Sequence, residues 1–220
     1  MIPKEIRPLL KLLHWERLKD RFQCVAHKAH KTYEEAALSL IDKDTETKRK
    51  KRIEQDINYE GVHPDIVTFW KGMQKECQKR NISVRAFEFV RSMEKQEYYY
   101  KTGRSKARAG RSAHNIGGLG LSAAVDVIST ERAWDLTKKE WDILITIGYE
   151  VARKKKIKVV NGSEFTKLYD PAHWELRDWR KWREAADYCA KNKIQLPEGA
   201  TDRWLKLDYI DEINRKPNIK

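Results

Sequence analysis

The chain predicts an α+β fold: a mixed strand–helix domain over 59–178, with helical extensions over 1–58 and 179–220. Three observations predict it. Apolar residues before 60 and after 179 recur near the 3.6-residue helical period. The segment 82–90 alternates strictly between apolar and polar residues, the period-2 pattern of a half-buried strand. Short apolar runs at 123–128, 157–160 and 172–176, interleaved with helical patterns, supply further strands. Apolar residues make up 40% of the 220 positions, enough for a core, while 36% are charged. No run approaches the ~18 apolar residues of a membrane span.

In chain order, Leu9, Leu12, Leu13 and Phe22 mark a first helix, and 33–41 continues the pattern. The stretch 42–56 is almost wholly charged and reads as a solvated helix or a linker. Its basic run, 48–52, suits a solvent-facing helix end. His63-Pro64 opens a helix over 65–80 that carries Ile66, Phe69, Trp70, Met73 and Cys77 on one stripe. The strand 82–90 stops at Arg91, and Ser92 caps a helix over 93–100 that contains Gln96. A basic, glycine-punctuated loop follows at 101–111. After the strand 123–128, Thr137 caps a long helix with Trp141, Leu144, Ile147 and Val151, which ends in cations at 153–156 as the helix dipole favours. The strands 157–160 and 172–176 and a helix over 179–191 complete the pattern. The tail from 194 reads as polar, with no assigned role.

Cys24, Cys77 and Cys189 are scattered in no metal-binding spacing and read as small buried hydrophobes made under reducing conditions. The net charge of +13 draws the surface to polyanions: nucleic acid, anionic lipid or cell-wall polymer. Of six histidines, His14, His27 and His30 read as surface or boundary residues and His63 as a structural turn residue. His114 stands just before the strand that carries Asp126. His173 stands three residues after Asp170, across Pro171. A catalytic zinc site takes three protein ligands and leaves a fourth position to water, with a general base nearby. Two imidazoles and a carboxylate meet the first need, and Asp170 is spaced to meet the second.

The motifs SAHNIGG (112–118), AAVD (123–126) and DPAHWEL (170–176) resemble the signature of a zinc peptidase family, SxHxxGxAxD followed later by an acidic residue three before a second His. That family is the D-Ala-D-Ala carboxypeptidases and L-alanyl-D-glutamate endopeptidases, which include vancomycin-resistance dipeptidases and many phage endolysins. Arg91-Ser92, Gln96 and Gly103-Arg104 match its upstream features, and the likeness spans 63–176. The resemblance implies a small antiparallel sheet with flanking helices, and Zn2+ bound by His114, Asp126 and His173. It implies Asp170 as catalytic acid/base and Arg91 as the group that steadies the scissile carbonyl or its oxyanion. Gln96 and Ser112 would orient substrate or the metal's surroundings, with Trp174 and Glu175 supporting from behind. One departure stands out. His114 and Asp126 are twelve residues apart because 118–122 is inserted into the motif, so the ligands converge only if that insertion loops out.

The expected substrate is bacterial peptidoglycan, cleaved first at the L-Ala–D-Glu bond, with D-Ala–D-Ala as the alternative. The chain is expected to be made in the cytoplasm of an infected bacterium without a signal peptide. It would act on the cell wall in the periplasm as a lytic enzyme, or be carried in a virion. A different class of function, a basic nucleic-acid-binding or virion-structural protein, would use 48–52 and the 101–111 loop.

Overall fold

In the computed structural model, residues 32–41 and 57–215 are described. His14, Cys24, His27, His30 and the basic run 48–52 lie outside them.

Helix α1 (Tyr33–Leu40) begins at a capping box between Thr32 and Glu35 and buries Ala36, Ala37 and Leu40. Helix α2 (Pro64–Gln78) starts where the His63 ring accepts the Asp65 N–H through Nδ1 at 3.2 Å, with proline at the first helical position. Its expected stripe, Ile66 to Cys77, is buried. Strand β1 (Val84–Glu88) is shorter than the alternation suggests: its register breaks between Ala86 and Glu88, and the ladder ends there. Ser92 then caps α3 (Met93–Lys101), accepting from the Lys95 N–H. Two short strands, β2 (Arg111–Ser112) and β3 (Asn115–Ile116), form a hairpin. They precede β4 (Ala124–Ser129). Helix α4 (Lys138–Lys155) opens on the Thr137–Glu140 capping box and ends in three cations. Strands β5 (Val159–Gly162) and β6 (Asp170–Leu176) follow, then α5 (Arg180–Lys191) and α6 (Ala200–Arg215).

The main sheet is antiparallel in the order β1-β4-β6-β5. Alternation along β6 decides the layout. Trp174 faces the helices, packing on Phe69 of α2 at 5.0 Å and Tyr149 of α4 at 5.2 Å between ring centroids. His173 and Glu175 therefore project from the other face. The strand also starts earlier than the apolar run implied, at Asp170. Pro171 is tolerated because the β5–β6 register is irregular there, and Asn161 Nδ2 donates to the Pro171 and His173 carbonyls.

The polar tail holds a further helix. Trp204, Leu207 and Ile210 of α6 are buried, and Trp204 meets Trp182 of α5 at 5.1 Å. Both indoles contact the His63 ring, at 4.6 and 5.0 Å, so this helix pair seats on the start of α2. Trp182 Nε1 donates to Asp208 Oδ1 at 2.7 Å. Among the described residues no helix is long and apolar enough to cross a membrane.

A Cβ on Gly148 of α4 would lie 2.3 Å from the Trp174 ring. Gly148→Ala is expected to lower stability by about 1–3 kcal/mol through overpacking, read as a shifted denaturant midpoint.

Candidate metal centre

The sheet register brings the charged residues into one row. Glu88 of β1 pairs with Asp126 of β4, and Asp126 pairs with His173 of β6. His114 arrives from the β2–β3 turn, which is fastened to the end of β1. The Arg91 N–H donates to the His114 carbonyl at 2.8 Å, and Asn115 Nδ2 donates to the Arg91 carbonyl at 2.6 Å. Ser112 Oγ accepts the His114 N–H at 3.2 Å.

Three atoms converge. His114 Nε2 lies 3.1 Å from Asp126 Oδ1, His173 Nδ1 lies 3.1 Å from the same oxygen, and the two nitrogens are 3.0 Å apart. Ligands ~2.0 Å from a tetrahedral zinc ion stand about 3.3 Å from one another, so the set needs only a few tenths of an ångström of expansion. These three side chains could hold a metal ion. Ring orientation agrees. His114 Nδ1 is 2.7 Å from the Phe89 carbonyl and His173 Nε2 is 3.1 Å from Glu175 Oε2, so acceptors hold the outer N–H of each ring. The inward nitrogens are thus the ones aimed at the position a cation would take.

The insertion does not separate the ligands. The Ile116 N–H donates to the Leu121 carbonyl and the Leu119 N–H to the Ile116 carbonyl, both at 3.0 Å, so 118–122 closes on itself. Gly118 makes the turn at φ +72°, where a side chain would also strike Met93. Ser122 is then clamped by backbone bonds to Gly61 and His63, at 2.9 Å each. The chain re-enters β4 with Leu121 and Ala123 fully buried. Arg203 of α6 braces the loop from outside, donating to the carbonyls of Leu119 at 2.6 Å, Pro197 at 2.9 Å and Glu198.

Around the three ligands, charge is tightly matched. Arg91 Nη2 approaches Glu88 Oε2 at 2.5 Å and Asp126 Oδ2 at 3.5 Å; Nε donates to Glu88 at 2.6 Å and Nη1 to Gln96 Oε1 at 2.9 Å. Tyr99 lies under its guanidinium at 4.9 Å. Gln96 is fully buried, and its amide donates to Ser105 Oγ and the Ala107 carbonyl. It stands behind Arg91, away from the open groove. Ser112, by contrast, lines the groove with Arg91, His114, Asp126, Asp170 and His173. Trp174 is on the helix face, as part of the core.

Burial pushes the Asp126 carboxyl up, but the two imidazoles overcome it and hold the group well below the usual carboxylate range. Burial pulls His173 down, yet hydrogen bonds and charge from Asp126 and Glu175 raise it to about 10. Asp170 moves the other way from Asp126. Burial, with the Asp126 charge as the next cause, raises its affinity for a proton.

No family model matches this chain, and no curated protein matches it. Among solved structures it is similar to the L-Ala D-Glu endopeptidase ChiX of Serratia marcescens, at 28% identity. That match covers 56% of this chain and 85% of the other, with a TM-score of 0.42.

Four residues of the site escape sequence reasoning: Glu88, Tyr99, Asn115 and Asn161. Glu88 had a readable signal, since it is a charged residue in the phase of the apolar Val84 and Ala86 and lies three residues before Arg91. The other three act through backbone carbonyls or ring faces that no local pattern announces.

Glu175→Gln is expected to weaken zinc binding about 10–100-fold, measured by competition with a coloured chelator, because the neutral amide holds the His173 ring less firmly. A cation entering the site must also displace the proton that His173 retains up to about 10. Zinc binding at neutral pH should therefore release a proton and weaken as pH falls, seen by calorimetry in buffers of different ionisation heat.

Proposed function

We propose that this chain is a zinc-dependent peptidase of peptidoglycan stem peptides, with the L-Ala–D-Glu bond as its first substrate. One observation carries the reading. Two imidazoles and a carboxylate stand at tetrahedral spacing on the floor of an open groove of ≈ 980 Å³, and a buried, proton-seeking carboxyl, Asp170, lines the same groove. The motif resemblance at 112–118, 123–126 and 170–176 supports the choice of substrate.

Zinc held by His114, Asp126 and His173 would supply a Lewis acid and a water more acidic than bulk. The protein's own groups do the rest. Asp170 accepts the proton of the attacking water and returns it to the leaving amine, a transfer that suits a carboxyl whose proton affinity is raised. Arg91 keeps one Nη1 N–H after its bonds to Glu88, Gln96 and Asp126, and offers it to the carbonyl oxygen as negative charge develops. Glu88 and Gln96 fix that guanidinium beforehand, so little reorganisation accompanies the reaction. Ser112 lies at the groove wall, where it orients either the His114 turn or the bound peptide. The basic surface suits an anionic wall polymer, reached after membrane lysis or from a virion.

Incubation with purified sacculi tests this directly. New amino-terminal Glu, suppressed by a strong chelator and restored by zinc, is the expected result; released D-Ala would assign the carboxypeptidase activity instead. Salt-sensitive nucleic-acid binding that persists under chelation, with sacculi left intact, would overturn the peptidase reading. Asp170→Asn should lower turnover about 10²–10⁴-fold while zinc stays bound, and His173→Ala should lose both.

A further inference from the structure

The groove carries an aromatic pair that the mechanism does not use. Phe87 and Trp134 line it beside the metal-site residues, and both are exposed, at 40% and 47%. Their ring centroids stand 4.6 Å apart at 73°, an edge-to-face pair. Each is placed by a local irregularity. Phe87 occupies the register break between Ala86 and Glu88, where a strand re-aims a side chain out of its pleat. Trp134 follows Ala133, a non-glycine residue held at φ +53°. Paired backbone bonds between Ser129 and Ala133, at 3.0 and 3.2 Å, fix that costly conformation. The Ser129 hydroxyl accepts the N–H groups of Glu131 and Arg132 and closes the same turn. A large apolar ring is thereby held in solvent. Lys95 Nζ lies over the Phe87 ring at 5.7 Å. Among the described residues, Trp134 has neither a cation over its ring nor a partner for its indole N–H.

We infer that Trp134, braced by Phe87, is a stacking platform for the sugar that carries the stem peptide. This deepens the peptidase reading and rests on it. Sheet order gives the direction. Strands β1 and β6 flank β4, and Asp170, which returns a proton to the leaving amine, stands on β6. The amine half of the substrate, beginning at D-Glu, therefore departs on the β6 side. The acyl half, L-Ala, points toward β1, where Phe87 and Trp134 stand. In peptidoglycan the L-Ala nitrogen is joined through a lactyl group to N-acetylmuramic acid, so a pyranose ring lies only a few bonds from the scissile carbonyl. The C–H face of such a ring meets the negative face of an indole, and the indole N–H can donate to a sugar oxygen. A second groove of ≈ 650 Å³ shares Phe87 and Glu88 with the first and runs along the outer edge of β1, lined also by Asn58, Glu60 and Phe89. The stem peptide begins at L-Ala, so only glycan can extend that way. The second groove then receives the neighbouring sugar.

Two synthetic substrates test it. Both contain L-Ala, γ-linked D-Glu and L-Lys; one bears N-acetylmuramic acid on the alanine nitrogen through its lactyl group, and the other an acetyl group in its place. The zinc-loaded protein is expected to show kcat/KM about tenfold higher for the muramyl substrate, carried by KM. Trp134→Leu should reduce that ratio several-fold, while Trp134→Tyr, which keeps an aromatic face, should retain most of it. The position is at the surface, and an unchanged thermal midpoint would show each variant folded. Equal kcat/KM for the two substrates, or an unchanged ratio in folded Trp134→Leu, overturns the inference while the peptidase assignment stands. Absence of cleavage of either substrate overturns the assignment alone. Calorimetry on the intact protein then decides the inference, as it does where Trp134→Leu fails to fold. N-acetylmuramyl-L-alanine is expected to bind several-fold more tightly than N-acetyl-L-alanine, and equal affinities overturn it.

Discussion

The cross-strand register of β1, β4 and β6 is the constraint on which the rest depends. Side chains alternate across a strand, so a slip of one residue in β4 would replace Asp126 with Val125 or Val127 and send the carboxylate into the helix-packed face. The register is held from the apolar side. Val125 and Val127 are buried, and Trp174 fills the space between α2 and α4. Hydrophobic packing on one face thus determines chemistry on the other. The irregular turn of β6 at Pro171, pinned by Asn161, sets where His173 and Asp170 emerge.

Electrostatics then refines what packing has placed. Burying this many charges is costly unless each finds a partner. Glu88 meets Arg91 and Lys95, and Asp126 meets two rings and Arg91. Each bond also fixes an orientation: Asp126 turns one oxygen to the imidazoles and the other to the guanidinium. Asp170 is left with little opposition to proton uptake, because its largest perturbations are burial and a like charge. Neighbouring carboxyls are thereby driven to opposite protonation behaviour, the usual way one pocket separates a ligand from an acid/base.

Much of this was legible in the residues themselves. The caps at Ser92 and Thr137, the stripe of α2 and the alternation before Arg91 are local signals, and they mark the elements to within a few positions. The candidate ligands were also readable, through motif spacing and residue type. The fate of 118–122 was not, because closure depends on bonds to Gly61, His63 and Arg203, distant along the chain. Helix α6 was anticipated only as part of a helical extension, and its bounds and packing went unread for a related reason. Its buried side is a narrow row of Trp204, Leu207 and Ile210 among charged residues, and what makes it a helix face is the α5 surface and the His63 ring it meets. Gln96 could be found from sequence, but its complete burial behind Arg91 could not.

The grip of Arg203 on the Leu119 carbonyl joins the end of the described chain to its chemical centre. A version trimmed after α5 would lose more than a distal segment. His63 would keep one indole instead of two, and the Leu119 carbonyl of the inserted turn would lose its guanidinium. The first two ligands would then be spaced by a looser tether, so damage at the far terminus would be felt as a weakened hold on the cation.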